Sequence, residues 1–235
     1  MGSLAVGTAF CSLSFVAQFG PTLVRWREQR SLRAAVRRTR TLILTFDDGP
    51  GPTLTPEILG LLGAYRVPAT FFLLGQHVPG NEELLDRVKH DGHELGCHGY
   101  RHCDAWKTWP WKAVADIQDG YRALQPWVSP RGIFRPPGGK LSGWTYILLR
   151  RRRVPLGWWT IDSGDTHAAL PPPETLVTAV QRDGGGVVLL HDFDRDDRTR
   201  AQRHAFVLTA TEMLLKYARA EGLQVLRLGQ ALAVK

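Results

Sequence analysis

Cysteine is scarce in this 235-residue chain, which holds only Cys11, Cys97 and Cys103. Three thiols exclude a disulfide framework as the source of its stability. A Cys97–Cys103 pair in an oxidising compartment is something spacing alone does not establish. Internal repeats and low-complexity linkers are also missing. That excludes a solenoid and leaves one large domain, or one domain with an appendage. Charge is absent from residues 4–24 (LAVGTAFCSLSFVAQFGPTLV), a run long enough to span a bilayer although only moderately apolar. The preceding Met-Gly-Ser lacks the basic start of a secretory signal. Acidic residues are then nearly absent from residues 25–40, which hold seven Arg and one Glu and so carry most of the net charge of +8. Local basicity beside an apolar stretch suits a membrane surface better than a nucleic acid, so no nucleic-acid partner is expected. The division read from these features is an apolar helix over 1–24, serving as membrane anchor or signal, a basic juxtamembrane linker over 25–40, and the functional domain over 41–235.

What is present from residue 41 onward is alternation. Apolar runs at 42–46, 69–75, 93–96, 132–135, 154–161, 187–190 and 223–226 read as strands. Helical spacing intervenes at 55–66, 80–91, 112–127, 141–152, 174–182 and 203–220, with Thr55 as a plausible N-cap and Pro56 in the first turn. Seven strands separated by helices predict an α/β fold with a mainly parallel sheet. A barrel accounts better than an open sheet for polar residues that always follow strands.

Those polar clusters carry the chemistry. The first strand ends in Asp47-Asp48-Gly49-Pro50, which reads equally as a turn or as two carboxylates needing a cation between them. His98 and His102 follow the third strand, and helical winding of that loop would turn both imidazoles one way. Two His and one carboxylate leave coordination positions open, as a catalytic metal site requires. His77, His90 and His93 compete for the same role, His93 reading as a core residue. Arg135-Pro-Pro-Gly138-Gly139 follows the fourth strand, with Arg135 suited to holding a carboxylate ionised. Asp162 and Asp165 close the fifth strand, and His191-Asp192 closes the sixth. Trp106 and Trp109 fall in a loop near the presumed site as candidate sugar platforms, whereas Trp111 and Trp127 read as core packing. Arg150–Arg153 reads as a solvated basic face.

Taken in order, Thr45-Phe-Asp47-Asp48-Gly, His98-x-x-x-His102, Arg135-Pro-Pro-Gly138, Asp162-Ser-Gly-Asp165 and Leu189-Leu-His191-Asp192 resemble the five motifs of the polysaccharide deacetylase family, the NodB-type domains of carbohydrate esterase family four. The resemblance spans about residues 41–228. It implies a distorted (β/α)7 barrel and metal-dependent removal of N-acetyl groups from amino-sugar polymers, peptidoglycan or chitin-type. By resemblance Asp47 is the base acting on water at the metal. Asp48, His98 and His102 hold a divalent ion, zinc by default, with cobalt or manganese as alternatives. Arg135 pairs with Asp47, His191 is the acid tuned by Asp165, and Leu189 borders the acetate methyl. A backbone N–H near Gly138 assists the oxyanion. Gly99, Gly138 and Thr166 depart from the family's usual Ser or Thr, aromatic and Trp, and Gly99 removes a hydrogen bond that would brace its loop. The implied place is the cell envelope, membrane-anchored or secreted. Two other readings stay open: an amidohydrolase of a small amide or cyclic imide, and a non-catalytic glycan-binding protein.

Overall fold

The computed structural model describes residues 3–196 and 198–233, with side chains described from residue 20 onward. Its centre is β1 (Thr41–Asp47), in which all seven residues are buried. An apolar run with no polar alternation demands cover on both faces and partners on both edges. β1 has them. β2 (Thr70–Leu73) pairs with its second half, β5 (Gly186–His191) pairs along its whole length, and both are parallel to it. β3 (Glu94–Cys97) continues from β2, and β4 (Ile161–Asp162) continues from β5.

The remaining gap is bridged at single residues. Phe134 pairs with Cys97 on one side and Leu156 on the other, in parallel. Leu156 belongs to the segment that runs on into β4, so the ring closes. The expected strands at 132–135 and 154–161 are therefore reduced to these bridges and the two residues of β4. In this Gly- and Pro-interrupted stretch the ladder thins out. The seventh strand, β6 (Gln224–Val225), does not enter the ring's upper half. It pairs with Thr41 and Leu42, below the point where β2 joins β1 at Thr45. A polar knot caps that wedge: Thr70 Oγ1 donates to Glu94 Oε2 (2.9 Å) and accepts from Leu228 N (2.9 Å). The result is the distorted parallel barrel expected from the sequence.

Helices α2 (Leu54–Tyr65), α3 (Glu82–His90), α4 (Pro110–Ala123), α5 (Gly143–Arg151), α6 (Glu174–Asp183) and α7 (Arg200–Glu221) pack outside, and α8 (Leu228–Ala233) ends the described chain. α2 begins one residue before Thr55, so Thr55 lies inside its first turn and Thr53 stands at the cap without a side-chain capping bond. Thr55 instead donates to Asp192 Oδ2 (2.6 Å) and accepts from Gly51 N, tying two loops of the site together.

The first helix, α1, runs from Ser3 to Thr39 and includes all of the basic stretch except Arg40. Leu32 and Val36 are buried against the barrel. Arg25 donates to the Gly139 carbonyl (2.9 Å) and lies 4.7 Å from the Trp159 ring centroid. Gln29 donates to the Trp159 carbonyl, and Trp158 donates its indole N–H to Glu28. Among the described residues no helix is long and apolar enough to cross a membrane.

Candidate active site

Alternate residues of a strand share a face, and paired residues of parallel neighbours point the same way. Thr45 is in register with Leu189, and Asp47 with His191, so these four side chains face one side of the β1–β5 pair. Arg135 reaches them from across the ring. Fully buried, it donates through Nη1 to Asp47 Oδ1 (2.7 Å) and to Thr45 Oγ1 (2.8 Å), and through Nε to the Gly157 carbonyl (3.0 Å). Its guanidinium lies 4.1 Å from the Phe72 ring centroid. Burial raises the Asp47 pKa above the ordinary carboxylate value, with Arg135 and His191 opposing.

Asp48 leaves the strand in the left-handed region, φ 73°. That turn separates two adjacent carboxylates: Asp47 toward Arg135, Asp48 toward the histidines. Asp48 Oδ1 lies 3.4 Å from His98 Nε2 and 3.5 Å from His102 Nε2. It is buried and has no hydrogen-bond partner among the described residues. His98 directs Nδ1 at the Arg135 carbonyl (2.7 Å). A carbonyl only accepts, so Nδ1 carries the proton and Nε2 presents a lone pair to Asp48. Burial, helped by His102 and Arg135 and opposed by Asp48, lowers the His98 pKa to about 3, which keeps the ring neutral. The Asp48 oxygen and the His98 lone pair, with His102 Nε2 beside them, form an Asp-His-His set that could hold a divalent cation.

The loop between the two histidines is not helical. Gly99 (φ 91°) and His102 (φ 59°) are both left-handed, and this tight path, rather than an i, i+4 helical turn, brings the imidazoles together. The bracing expected to be lost at Gly99 comes from α4. Asp116 accepts from Tyr100 N (3.2 Å) and Arg101 N (2.8 Å). A Cβ at position 99 would collide with the Asp116 carboxylate, so a glycine with positive φ is required for that carboxylate to sit there.

Opposite the histidine pair, His191 Nδ1 contacts Asp165 Oδ1 (2.8 Å), and Asp165 Oδ2 accepts the His191 backbone N–H (2.8 Å). Burial would lower the His191 pKa, but the carboxylates of Asp165, Asp48 and Asp47 outweigh it and push it up to about 9.

Other candidates fall elsewhere. Gly138 is left-handed (φ 57°), with only the Lys140 side chain near its open side. Leu189 is buried two residues before His191. Trp106 is half-buried and donates its indole N–H to the Leu141 carbonyl. Trp109 is exposed and stacks at 5.1 Å on Trp111. Trp111 is 63% exposed, which corrects the core position expected for it. Trp127 is half-buried with its N–H on Asp86. Asp162 is exposed, and Arg150–Arg153 are exposed as expected. His93 is a core residue accepting from Ala69 N, and Cys97 and Cys103 are unpaired thiols. His77 contacts the Asp48 carbonyl through Nδ1 (2.8 Å) and stacks on Phe193. The sequence had ranked it only as a competing ligand. Thr45 could have been found from its place two residues before Asp47. Asp116 could not, because its contact spans fifteen residues and leaves no local pattern.

The polysaccharide deacetylase family profile matches residues 35–154, half of the chain and every element from the end of α1 through α5. The chain belongs to the polysaccharide deacetylase family. Among its relatives, a peptidoglycan-N-acetylglucosamine deacetylase of Bacillus cereus is 35% identical over 159 residues, covering 67% of this chain and 75% of that protein. A chitooligosaccharide deacetylase of a Bradyrhizobium species is 35% identical over 165 residues, covering 67% and 73%. The solved structure of the peptidoglycan deacetylase PdaC from Bacillus subtilis superposes with a TM-score of 0.69 at 26% identity, covering 84% of this chain and 92% of that one. The barrel of this family member brings Asp48, His98 and His102 together, with Asp47 3.7 Å from His98 Nε2 and in register with His191.

Proposed function

We propose that the protein is a metal-dependent N-deacetylase of an N-acetylated amino-sugar polymer, of the peptidoglycan or chitin type. The observation that carries this reading is the division of labour between adjacent carboxylates. Asp48 Oδ1 is buried and unpartnered, 3.4 and 3.5 Å from the two imidazole Nε2 atoms, while Asp47 is engaged by Arg135 at 2.7 Å and stands 3.7 Å from His98 Nε2. Asp48, His98 and His102 would hold the metal, most simply zinc. When bound there, a divalent ion supplies Lewis-acid chemistry, polarising an amide carbonyl and acidifying water.

The protein groups do the rest. Asp47, its pKa raised by burial, takes a proton from the attacking water, while Arg135 keeps the carboxylate oriented. Water oxygen bonds to the acetyl carbon, the C–N bond breaks, and His191 delivers the proton that the leaving amine nitrogen needs. Asp165 fixes the His191 ring and favours its protonated form. Acetate and a free amino sugar result. The catalytic unit is residues 41–235 with the second half of α1 docked on it. Its place of action would be the cell envelope, a reading supported by the peptidoglycan named for one of its relatives, and α1 is the segment that would meet a membrane.

The test is acetate release by the full chain from N-acetylglucosamine oligomers and from peptidoglycan. The protein is first stripped of metal and then reloaded with zinc, cobalt or manganese. Release should require metal. Asp47→Asn should lower kcat by roughly 10² to 10⁴-fold, the usual worth of a general base, while metal content is kept. Turnover of small amides by the loaded enzyme, with no release from either glycan, would overturn the reading.

A further inference from the structure

A residue that bears a side chain stays in the left-handed region only where its surroundings hold it there. Asp48 (φ 73°) is such a residue, and this conformation aims its carboxylate at His98 and His102. Two backbone bonds flank it. Its N–H donates to the Phe72 carbonyl (3.2 Å), and the Gly49 carbonyl accepts from Leu74 N (3.0 Å). Its own carbonyl is met by a side chain, with His77 Nδ1 at 2.8 Å. A carbonyl only accepts, so Nδ1 carries the proton. Nε2 is then the acceptor for Gln76 Nε2 (3.3 Å). Both ring nitrogens are thereby engaged, and His77 stands outside the Asp48, His98 and His102 group.

The imidazole is itself clamped. It lies on the Phe193 ring with centroids 4.5 Å apart and planes 3° from parallel. Phe193 is pinned by its chain neighbours: Asp192 N donates to the Asp47 carbonyl (3.1 Å), and Asp194 accepts from Thr53 N (2.6 Å) and Leu54 N (3.3 Å). The backbone of His77 is fixed in the turn after β2. Its N–H donates to the Leu74 carbonyl (3.0 Å), and its carbonyl accepts from Asn81 Nδ2 (2.9 Å). A flat ring held by one face and by its own backbone has a single direction for its N–H, and the Asp48 carbonyl lies in that direction.

We propose that His77 is a positioning residue of the metal site: stacked on Phe193, it holds the Asp48 carbonyl and so keeps the Asp48 carboxylate turned toward His98 and His102. The proposal rests on the deacetylase reading, in which those three residues hold the metal. His77 acts through Asp48 and is not a ligand. The clamp joins three loops that follow β1, β2 and β5. Phe193 comes two residues after His191, so the loop that carries the acid also takes part in placing a metal ligand.

Two substitutions separate the hydrogen bond from the packing. His77→Phe keeps a ring on Phe193 and loses the donor. His77→Asn keeps an N–H close to the place of Nδ1 and loses the ring. Each full chain is stripped of metal and titrated with zinc against a chelator, and the visible absorption of the cobalt-loaded protein reads ligand geometry. Zinc affinity of His77→Phe should fall about tenfold, as when a group that orients a metal ligand is lost, and its cobalt spectrum should change. His77→Asn should stay closer to the parent in both. Asp48→Ala marks the site and should abolish zinc uptake there. Parent-like affinity and spectrum in His77→Phe would overturn the positioning role. So would an equal loss in the two variants, which packing alone would produce. Zinc uptake unchanged in Asp48→Ala would instead overturn the metal reading of the site.

Discussion

At the scale of single residues, the site depends on which of two like groups meets which partner. Asp47 and Asp48 are adjacent in sequence but opposite in duty, because one left-handed residue turns the second away from the strand. The same holds for proton supply. In the mechanism proposed, His191 must be protonated to act as the acid, so, with its pKa pushed up to about 9 by the neighbouring carboxylates, the alkaline fall of activity is expected near that value. As the proposed base, Asp47 must be ionised, so activity is also expected to fall as pH drops through its raised pKa. Asp165→Asn removes the carboxylate that touches the ring. The His191 pKa then drops, and the alkaline limb of a kcat/KM profile should move to lower pH while the acid limb stays. An alkaline limb unmoved in Asp165→Asn would show that His191 is not the acid.

At the scale of elements, α4 supports a loop that it does not belong to. Asp116 holds the Tyr100 and Arg101 amides between the two histidines. Asp116→Ala strands those amides and should weaken metal affinity by about tenfold, as loss of an outer-shell contact does, with little change in fold. Titration of the stripped protein with zinc against a chelator checks this, and an unchanged affinity would refute the bracing role. Much at this scale was legible beforehand. Helices α2 to α7 and strands β1, β2, β3 and β5 follow from apolar periodicity, because each buries a continuous face. The stretches around Phe134 and Leu156 read as full strands but pair at single residues, because proline and glycine interrupt the ladder there. The placement of His98 and His102 was anticipated, though not its cause. Positive φ at His102, a non-glycine residue, has no signature in composition. Asp116 was invisible because a contact between distant residues leaves no periodic trace.

At the scale of the whole molecule, the ring has strong and weak arcs. β1 and β5 share six register pairs, whereas Phe134 holds each neighbour through one. Two hydrogen bonds on either side close that seam: Cys97 N to Ile133 O and Arg135 N to Cys97 O, then Phe134 N to Pro155 O and Gly157 N to Phe134 O. Sparse pairing of this kind opens before a long ladder does. Amide exchange should therefore be fastest, among the barrel's interior segments, at residues 133–135 and 156–157, and slow protection there equal to that of β1 would refute a weak seam. Arg135 sits at that seam. Its backbone carbonyl orients His98 and its side chain holds Asp47, so the first part of the barrel expected to breathe is also the part that aligns the proposed base with a proposed metal ligand. On warming, acetate release should fade before circular dichroism reports any loss of helix. For this protein, catalytic output is a finer thermometer of barrel closure than any probe of its secondary structure.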